Sequence, residues 1–305
     1  MGQIVSISRR TDIAAFYSDW FINRVHAGFV KTRNPFNPNQ IREISLHPED
    51  VDCFIFWTRN PAPLFPHLDM LEKRSFASYF HMTITGYPRE IENSTPSLEQ
   101  AINHFKTLSQ KVGPDRVIWR YDPILLSNVT PIQYHIDTFD KIAHALQGHT
   151  HTVMFALTDF YAKTERNLKK VNALVYQDIA QQEDDLNRVL AALSTIARSC
   201  GLSLKSCAQE QDWRAFSIEH GKCIDDDLIR KISKTDQHWR KDKSQRKACG
   251  CVQSVDIGAY NSCLHGCQYC YATYNNAQAK DAYRQHDPQS PFLLERSATK
   301  NVKQS

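Results

Sequence analysis

Residues 116–123 read RVIWRYDP. A short run of β-branched and aromatic residues closes on Arg120, Tyr121 and Asp122, with Pro123 next. Such a run fits a buried, pleated surface, and its charged end has to meet either water or a partner. The same plan recurs along the chain. IVSIS (4–8) runs into SRRTD (8–12), CFIFWT (53–58) into WTRNP (57–61), and YFHMTIT (79–85) into TGYPRE (85–90). TVMFAL (152–157) runs into TDFY (158–161), and LSLKSC (202–207) into CAQE (207–210). Between these runs lie segments with helical periodicity: 97–112, where Ser97 and Gln100 suit a capping box, 137–147, and 178–201, which stops at Gly201. Strand and helix alternating about six times means α/β with a parallel sheet. Because sites form at the C-terminal ends of parallel strands, six polar strand ends favour a ring: a (βα)6-type partial or full TIM-like barrel. The expected barrel spans 1–210. A cysteine-rich segment, 211–286, should cap its mouth, and a flexible tail should follow over 287–305.

The rest of the chain narrows the class. It has 305 residues, 41% hydrophobic and 23% charged, with a net charge of +4. No apolar run approaches the roughly 18–20 residues of a membrane span. The first residues, MGQIVSISRRTDIAAF, lack an apolar signal core, so a cytoplasmic protein without membrane contact is expected. The modest positive charge permits a nucleic-acid partner without arguing for one. The basic run HWRKDKSQRK (238–247) reads either as a solvated surface or as a phosphate-binding patch.

Seven of the nine cysteines fall between 207 and 270. In a reducing compartment that clustering points to metal or catalysis before disulfides. CLHGCQYCYA (263–272) places Cys263, Cys267 and Cys270 at the spacing C-x3-C-x2-C. Structural zinc wants four ligands, and an iron–sulfur cube also takes four thiolates as a rule. A tight loop with three can hold three corners of a cube and leave one iron open to a small molecule. Gly266 allows the loop to turn, and Tyr269 suits stacking on a flat ligand ring. Cys207, Cys223, Cys249 and Cys251 make a second set of four, enough for a closed iron–sulfur cluster or a zinc site, or else buried thiols acting as small hydrophobes. Cys53 and Cys200 sit in apolar patterns and read as core.

Among the strand ends, Arg9 and Arg10 suit a carboxylate or phosphate clamp, which Asp12 would orient. The alternative is a surface ion pair with Thr11 or Asp12 as a helix N-cap. Trp57, Arg59 and Asn60 suit stacking and anion binding; the alternative for Trp57 is packing alone. Arg120 lies in an apolar run, so it must pair with Asp122 or reach a ligand.

The cysteine loop resembles the signature of radical S-adenosylmethionine enzymes, and its spelling is similar to that of spore photoproduct lyase and related DNA-repair-like proteins. From end to end the chain also resembles a family of bacterial proteins catalogued as domain of unknown function 1848. The shared segments are SISRRTDI (6–13), FIFWTRNP (54–61), VIWRYDPI (117–124), CID (223–225), CGCVQSVDIGAYNSC (249–263) and HGCQYCYATYN (265–275). The resemblance to the radical superfamily implies a [4Fe–4S] cluster on Cys263, Cys267 and Cys270. It implies S-adenosylmethionine bound at the open iron with Tyr269 near the adenine, and an electron donor such as a flavodoxin or ferredoxin. It also makes an auxiliary cluster on the second set plausible. In that superfamily the cysteine loop follows the first barrel strand, whereas here it comes last. The implied barrel is therefore either circularly permuted, with VQSVDIG (252–258) before the loop, or covered by a folded-back extension. The other readings are an iron–sulfur or zinc-binding protein without catalysis, and a nucleic-acid repair enzyme. The substrate is not legible.

Overall fold

The computed structural model describes residues 2–295. Eight strands form one sheet: β1 (Gln3–Ile7), β2 (Val51–Thr58), β3 (Ser78–Thr83), β4 (Val117–Ile124), β5 (Thr152–Leu157), β6 (Ser203–Cys207), β7 (Glu219–Gly221) and β8 (Val255–Asp256). All neighbours are parallel, in the order β7-β6-β5-β4-β3-β2-β1-β8. The α/β class and the parallel sheet are therefore as expected. The sheet is open, because β7 and β8 stand at its two edges and do not pair. Each of the six expected strands is present, with ends shifted by one or two residues.

Side-chain alternation divides the two faces. Val117, Trp119 and Tyr121 of β4 join the large core beneath the helices. Ile118 joins a smaller core on the other face with Ile4, Ile55, Tyr79 and Met154, covered by Cys223, Ile224, Ile229, Cys249, Cys251 and Val252. A strand of a parallel sheet is buried on both faces, which explains why the run 117–121 is apolar without simple alternation. The helices are α1 (Ile13–Phe16), α2 (Ser18–Ala27), α3 (Leu68–Lys73), α4 (Leu98–Val112), α5 (Ile132–Leu146), α6 (Ala162–Leu168), α7 (Glu183–Ser199), α8 (Asp226–Ser233) and α9 (Asn276–Arg284). The capping box of α4 forms as expected between Ser97 and Gln100. Helix α5 begins five residues before the expected 137, after Pro131, and presents His135, Phe139, Ile142 and Leu146 to the sheet. Among the described residues no helix is long and apolar enough to cross a membrane.

The segment expected as a separate cap shares the main fold, since 211–286 supplies both β7 and β8. An antiparallel pair, Phe29–Arg33 with Ile41–Ser45, was not legible in the sequence. The expected tail is held as far as residue 295. Trp20 Nε1 donates to the Ser290 carbonyl at 2.9 Å, Arg24 donates to Gln289 O at 2.8 Å, and Leu293 is buried. Residues 296–305 lie outside the described residues.

His135 lies in the core between Tyr121 OH, 3.0 Å from Nδ1, and the Leu125 carbonyl, 3.1 Å from Nε2. Burial pushes its pKa down to about 4. A histidine with a depressed folded pKa is protonated first in the unfolded chain, so its contribution is complete above the unfolded pKa of about 6.5 and is lost as pH falls toward about 4. Between pH 7 and pH 4.5 the loss should be about 2 kcal/mol. In His135→Gln, urea unfolding at the two pH values should show a difference smaller by about that amount. An unchanged difference would mean that His135 is not held neutral.

Candidate functional site

The cysteine loop reaches the strand ends because β8 joins β1. The Asp256 carboxylate makes that junction. It accepts from Ser8 Oγ at 2.6 Å, Ser6 Oγ at 3.0 Å, and the backbone N–H groups of Arg9 and Gly258, both at 2.9 Å. At Gly258 the backbone passes so close to β1 that an added Cβ would lie 2.0 Å from Ser8 Oγ and 2.5 Å from Ser8 Cβ. Gly258→Ala should therefore push the two segments apart and cost about 1–3 kcal/mol, the range for overpacking. Chemical denaturation would measure it, and a variant as stable as the parent would refute the close approach.

Beyond the junction, Asn261 closes the neck of the loop. Its backbone N–H donates to Ala272 O at 3.0 Å, and its Oδ1 accepts from the N–H groups of Tyr274 and Asn275. Gly266 takes φ +68°, the left-handed turn expected of it. The loop is fastened to segment 88–95 by Ser94 N–H donating to His265 O and by Gln268 N–H donating to Ile91 O, each at 2.9 Å. Cys270 N–H donates to Cys267 O and closes a turn.

Cys263, Cys267 and Cys270 all line one cleft of about 750 Å³ at the C-terminal ends of the strands. Arg9, Arg10, Asp12, Trp57, Arg59 and Asp122 line the same cleft. Asn60 does not; its Oδ1 accepts from Ala62 N–H in the following turn. Burial pushes the Cys267 thiol up to about 12, with Arg59 opposing, and burial followed by Asp12 raises Cys263. These thiols keep their protons until something replaces them, as a metal does when it binds sulfur.

Two buried networks hold the loop. His265 Nε2 meets Asp12 Oδ2 at 2.8 Å, and that same oxygen accepts from Arg59 N–H at 2.7 Å, while Asp12 Oδ1 caps α1 through Ala15 N–H. The N-cap reading and the site reading of Asp12 thus describe one side chain. In the second network Tyr269 OH donates to Glu92 and accepts from Arg59, and Arg59 lies 2.9 Å from Glu92. Thr85 Oγ1 donates to Glu92 at 2.6 Å. Glu92 and His265 were not singled out from the sequence. Glu92 sits in an irregular stretch without periodicity, and the one available signal was an acid near the end of β3. Trp57 stacks on His81 with ring centroids 5.2 Å apart, and the Arg9 guanidinium lies 5.7 Å from the Trp57 ring.

Arg120 does not line the cleft. It is paired with Asp122 through Nε at 2.9 Å and through Nη2, and its Nη1 donates to Cys223 Sγ at 2.9 Å. Burial works against its charge, but Asp122 and then the thiols of Cys223 and Cys207 hold its pKa well above the ordinary value. Cys207, Cys223, Cys249 and Cys251 gather on the small-core face of the sheet. Cys53 and Cys200 are buried in apolar surroundings. At the mouth of the cleft, Arg246 from the basic run pairs with Asp159 and Tyr161 on the opposite side. Lys163 stands 4.5 Å from the Tyr274 ring and 5.8 Å from that of Tyr260. Other parts of the run are tied down as well, with Trp239 Nε1 donating to Asp52 at 2.9 Å.

No curated protein matches the chain. Among solved structures, a candidate alpha-L-fucosidase from Bacteroides thetaiotaomicron VPI-5482 is 12% identical, with 82% of this chain and 84% of that chain covered, at a TM-score of 0.28. The family model described as domain of unknown function DUF1848 matches residues 4–272, from β1 through the last cysteine of the loop, and the chain belongs to that family.

Proposed function

We propose that the chain is a radical S-adenosylmethionine enzyme in which Cys263, Cys267 and Cys270 hold a [4Fe–4S] cluster. The observation that carries this reading is the convergence of three thiols, from one ten-residue stretch, on the cleft that the strand-end residues line. The donor set suits a cube with one iron left for a ligand. His265, the other metal-binding side chain of the loop, is engaged with Asp12. When bound, such a cluster supplies one-electron reductive cleavage of the sulfonium of S-adenosylmethionine.

The protein's own part is orientation and exclusion of water. Asp12 and His265 set the loop against α1, and Arg59 with Glu92 fixes Tyr269 beside the thiols. Arg10 and Lys163 present positive charge to the cleft and favour an anionic substrate or the cofactor carboxylate. The strand order supports reading the open sheet as a permuted partial barrel. Taken from β8, the strands run β8-β1-β2-β3-β4-β5-β6-β7 in unbroken sequence, with the cysteine loop directly after the first of them.

Anaerobic reconstitution with iron and sulfide, followed by S-adenosylmethionine and dithionite, tests the proposal. The expected product is 5′-deoxyadenosine, absent when either reagent is withheld. Bound zinc without iron, and no nucleoside released, would defeat it.

A further inference from the structure

We propose that the substrate of this cleft is a small molecule bearing a carboxylate or phosphate, and that the Arg9 guanidinium seats this oxyanion in front of Trp57. The proposal rests on the reading above in taking the cleft as the reaction site, and it names the substrate class for that site.

The charges of the cleft do not balance. Its carboxylates are Asp12, Asp122 and Asp159, and all are engaged. Asp12 meets His265 and the Arg59 N–H, Asp122 holds Arg120, and Asp159 holds Arg246. Among the cations, Arg59 is paired with Glu92, and Arg10 is shared between Asp256, 3.9 Å from its Nε, and the Gly258 carbonyl. Arg9 and Lys163 are left. Among the described residues neither has a carboxylate partner, and the Arg9 guanidinium makes no hydrogen bond. S-adenosylmethionine does not supply the missing charge. It carries an ammonium and a sulfonium against one carboxylate, so it adds to the positive excess. The compensating anion has to come with the substrate.

Arg9 is also held ready for one. Its backbone N–H donates to Asp256 at 2.9 Å, and its carbonyl accepts from Tyr271 OH at 3.0 Å. Asp256 already accepts from Ser6, Ser8 and Gly258 as well, so its oxygens are filled without the Arg9 side chain. The guanidinium instead lies over Trp57, which stacks on His81, and His81 Nε2 is bound to the Cys223 carbonyl at 2.7 Å. A guanidinium resting on a ring keeps its in-plane N–H fork for a ligand, and that fork matches the paired oxygens of a carboxylate or phosphate. On the same turn, Thr11 lines the cleft and its hydroxyl is buried without a hydrogen-bond partner. A buried donor without an acceptor is costly, and a ligand oxygen relieves it. Arg59, by contrast, is committed to Tyr269 and Glu92 beside the cysteine loop, so the sequence-adjacent Arg9 and Arg10 do not act as one clamp and Arg9 alone is unoccupied.

Titration calorimetry tests the proposal on the full chain, reconstituted with iron and sulfide, without S-adenosylmethionine or dithionite. The probes are inorganic phosphate and acetate. Saturable binding is expected, and the tighter probe names the oxyanion, phosphate for a phosphate ester and acetate for a carboxylic acid. Arg9→Gln should weaken that binding at least about tenfold, the effect of losing a charged hydrogen-bond partner. Arg188→Gln, at an exposed position of α7 outside the cleft, should bind as the parent does. Unchanged binding in Arg9→Gln, or no saturable binding of either probe, would overturn the proposal. Should Arg9→Gln not fold, phenylglyoxal labelling of the parent followed by peptide mass spectrometry gives the answer. The bound probe should protect Arg9, and equal labelling with and without it would count against the site. No 5′-deoxyadenosine is measured, so failure here leaves the radical reading standing, and failure of that reading leaves anion binding intact.

Discussion

Cys267→Ala is expected to abolish formation of 5′-deoxyadenosine and to lower the iron content by about four per chain, the size of one cube. Cys267 is the middle cysteine of the loop, flanked by Gly266 in its left-handed turn and by Gln268, whose N–H donates to Ile91 O. These bonds are made by backbone, so removing one sulfur should leave the loop's path intact and delete only a ligand. With two thiols left, a cube would lose a second corner. The expected result is loss of product to the background of enzyme-free controls, with a circular dichroism spectrum matching the parent. Iron retained at the parent level together with undiminished product would place the cluster elsewhere.

The second large effect is one of stability. Arg59 and Glu92 are a buried pair, with side-chain exposures of 12% and 3%, and Tyr269 and Thr85 complete the network around Glu92. Deleting one partner leaves the other charge buried without compensation, at a cost of about 3–5 kcal/mol. Glu92→Ala should show that loss in urea unfolding. The double variant Arg59→Leu, Glu92→Leu should recover most of it, since a buried ion pair replaced by apolar side chains of similar volume is often neutral. A loss below about 1 kcal/mol in Glu92→Ala would mark the pair as no stronger than a solvent-exposed one. Glu92→Ala also removes the acceptor of Tyr269 OH, so product formation should fall further than stability alone would dictate at temperatures where the variant is folded.

Six of the eight sheet strands were legible because burial on both faces demands continuous apolar runs such as CFIFWT. The edge strand β7 was not, and β8 was offered only by the resemblance, as VQSVDIG (252–258) in the permuted alternative. Glu219–Gly221 and Val255–Asp256 are short, and their place is set by what they pair with rather than by their own composition. Helix α5 was expected too short because its first turn carries a buried histidine, His135, whose partners are distant in sequence. Among the strand-end residues, Arg9, Arg10, Asp12, Trp57, Arg59 and Asp122 were brought to one cleft, while Arg120, on the same face of β4 as Asp122, lies buried between that carboxylate and Cys223.

The sequence by itself determined the α/β class, the parallel sheet, the capped helix α4 and the two sets of cysteines. Each follows from local pattern: burial period, cap chemistry and spacing. Only the tertiary structure decided that the sheet stays open, that the final strand lies against the first, and that Glu92 and His265 anchor the cysteine loop. These depend on contacts between residues up to about 250 positions apart, such as Ser8 with Asp256 and Asp12 with His265. Closing so long a loop is entropically costly, and the return comes only from partners that a local reading does not see.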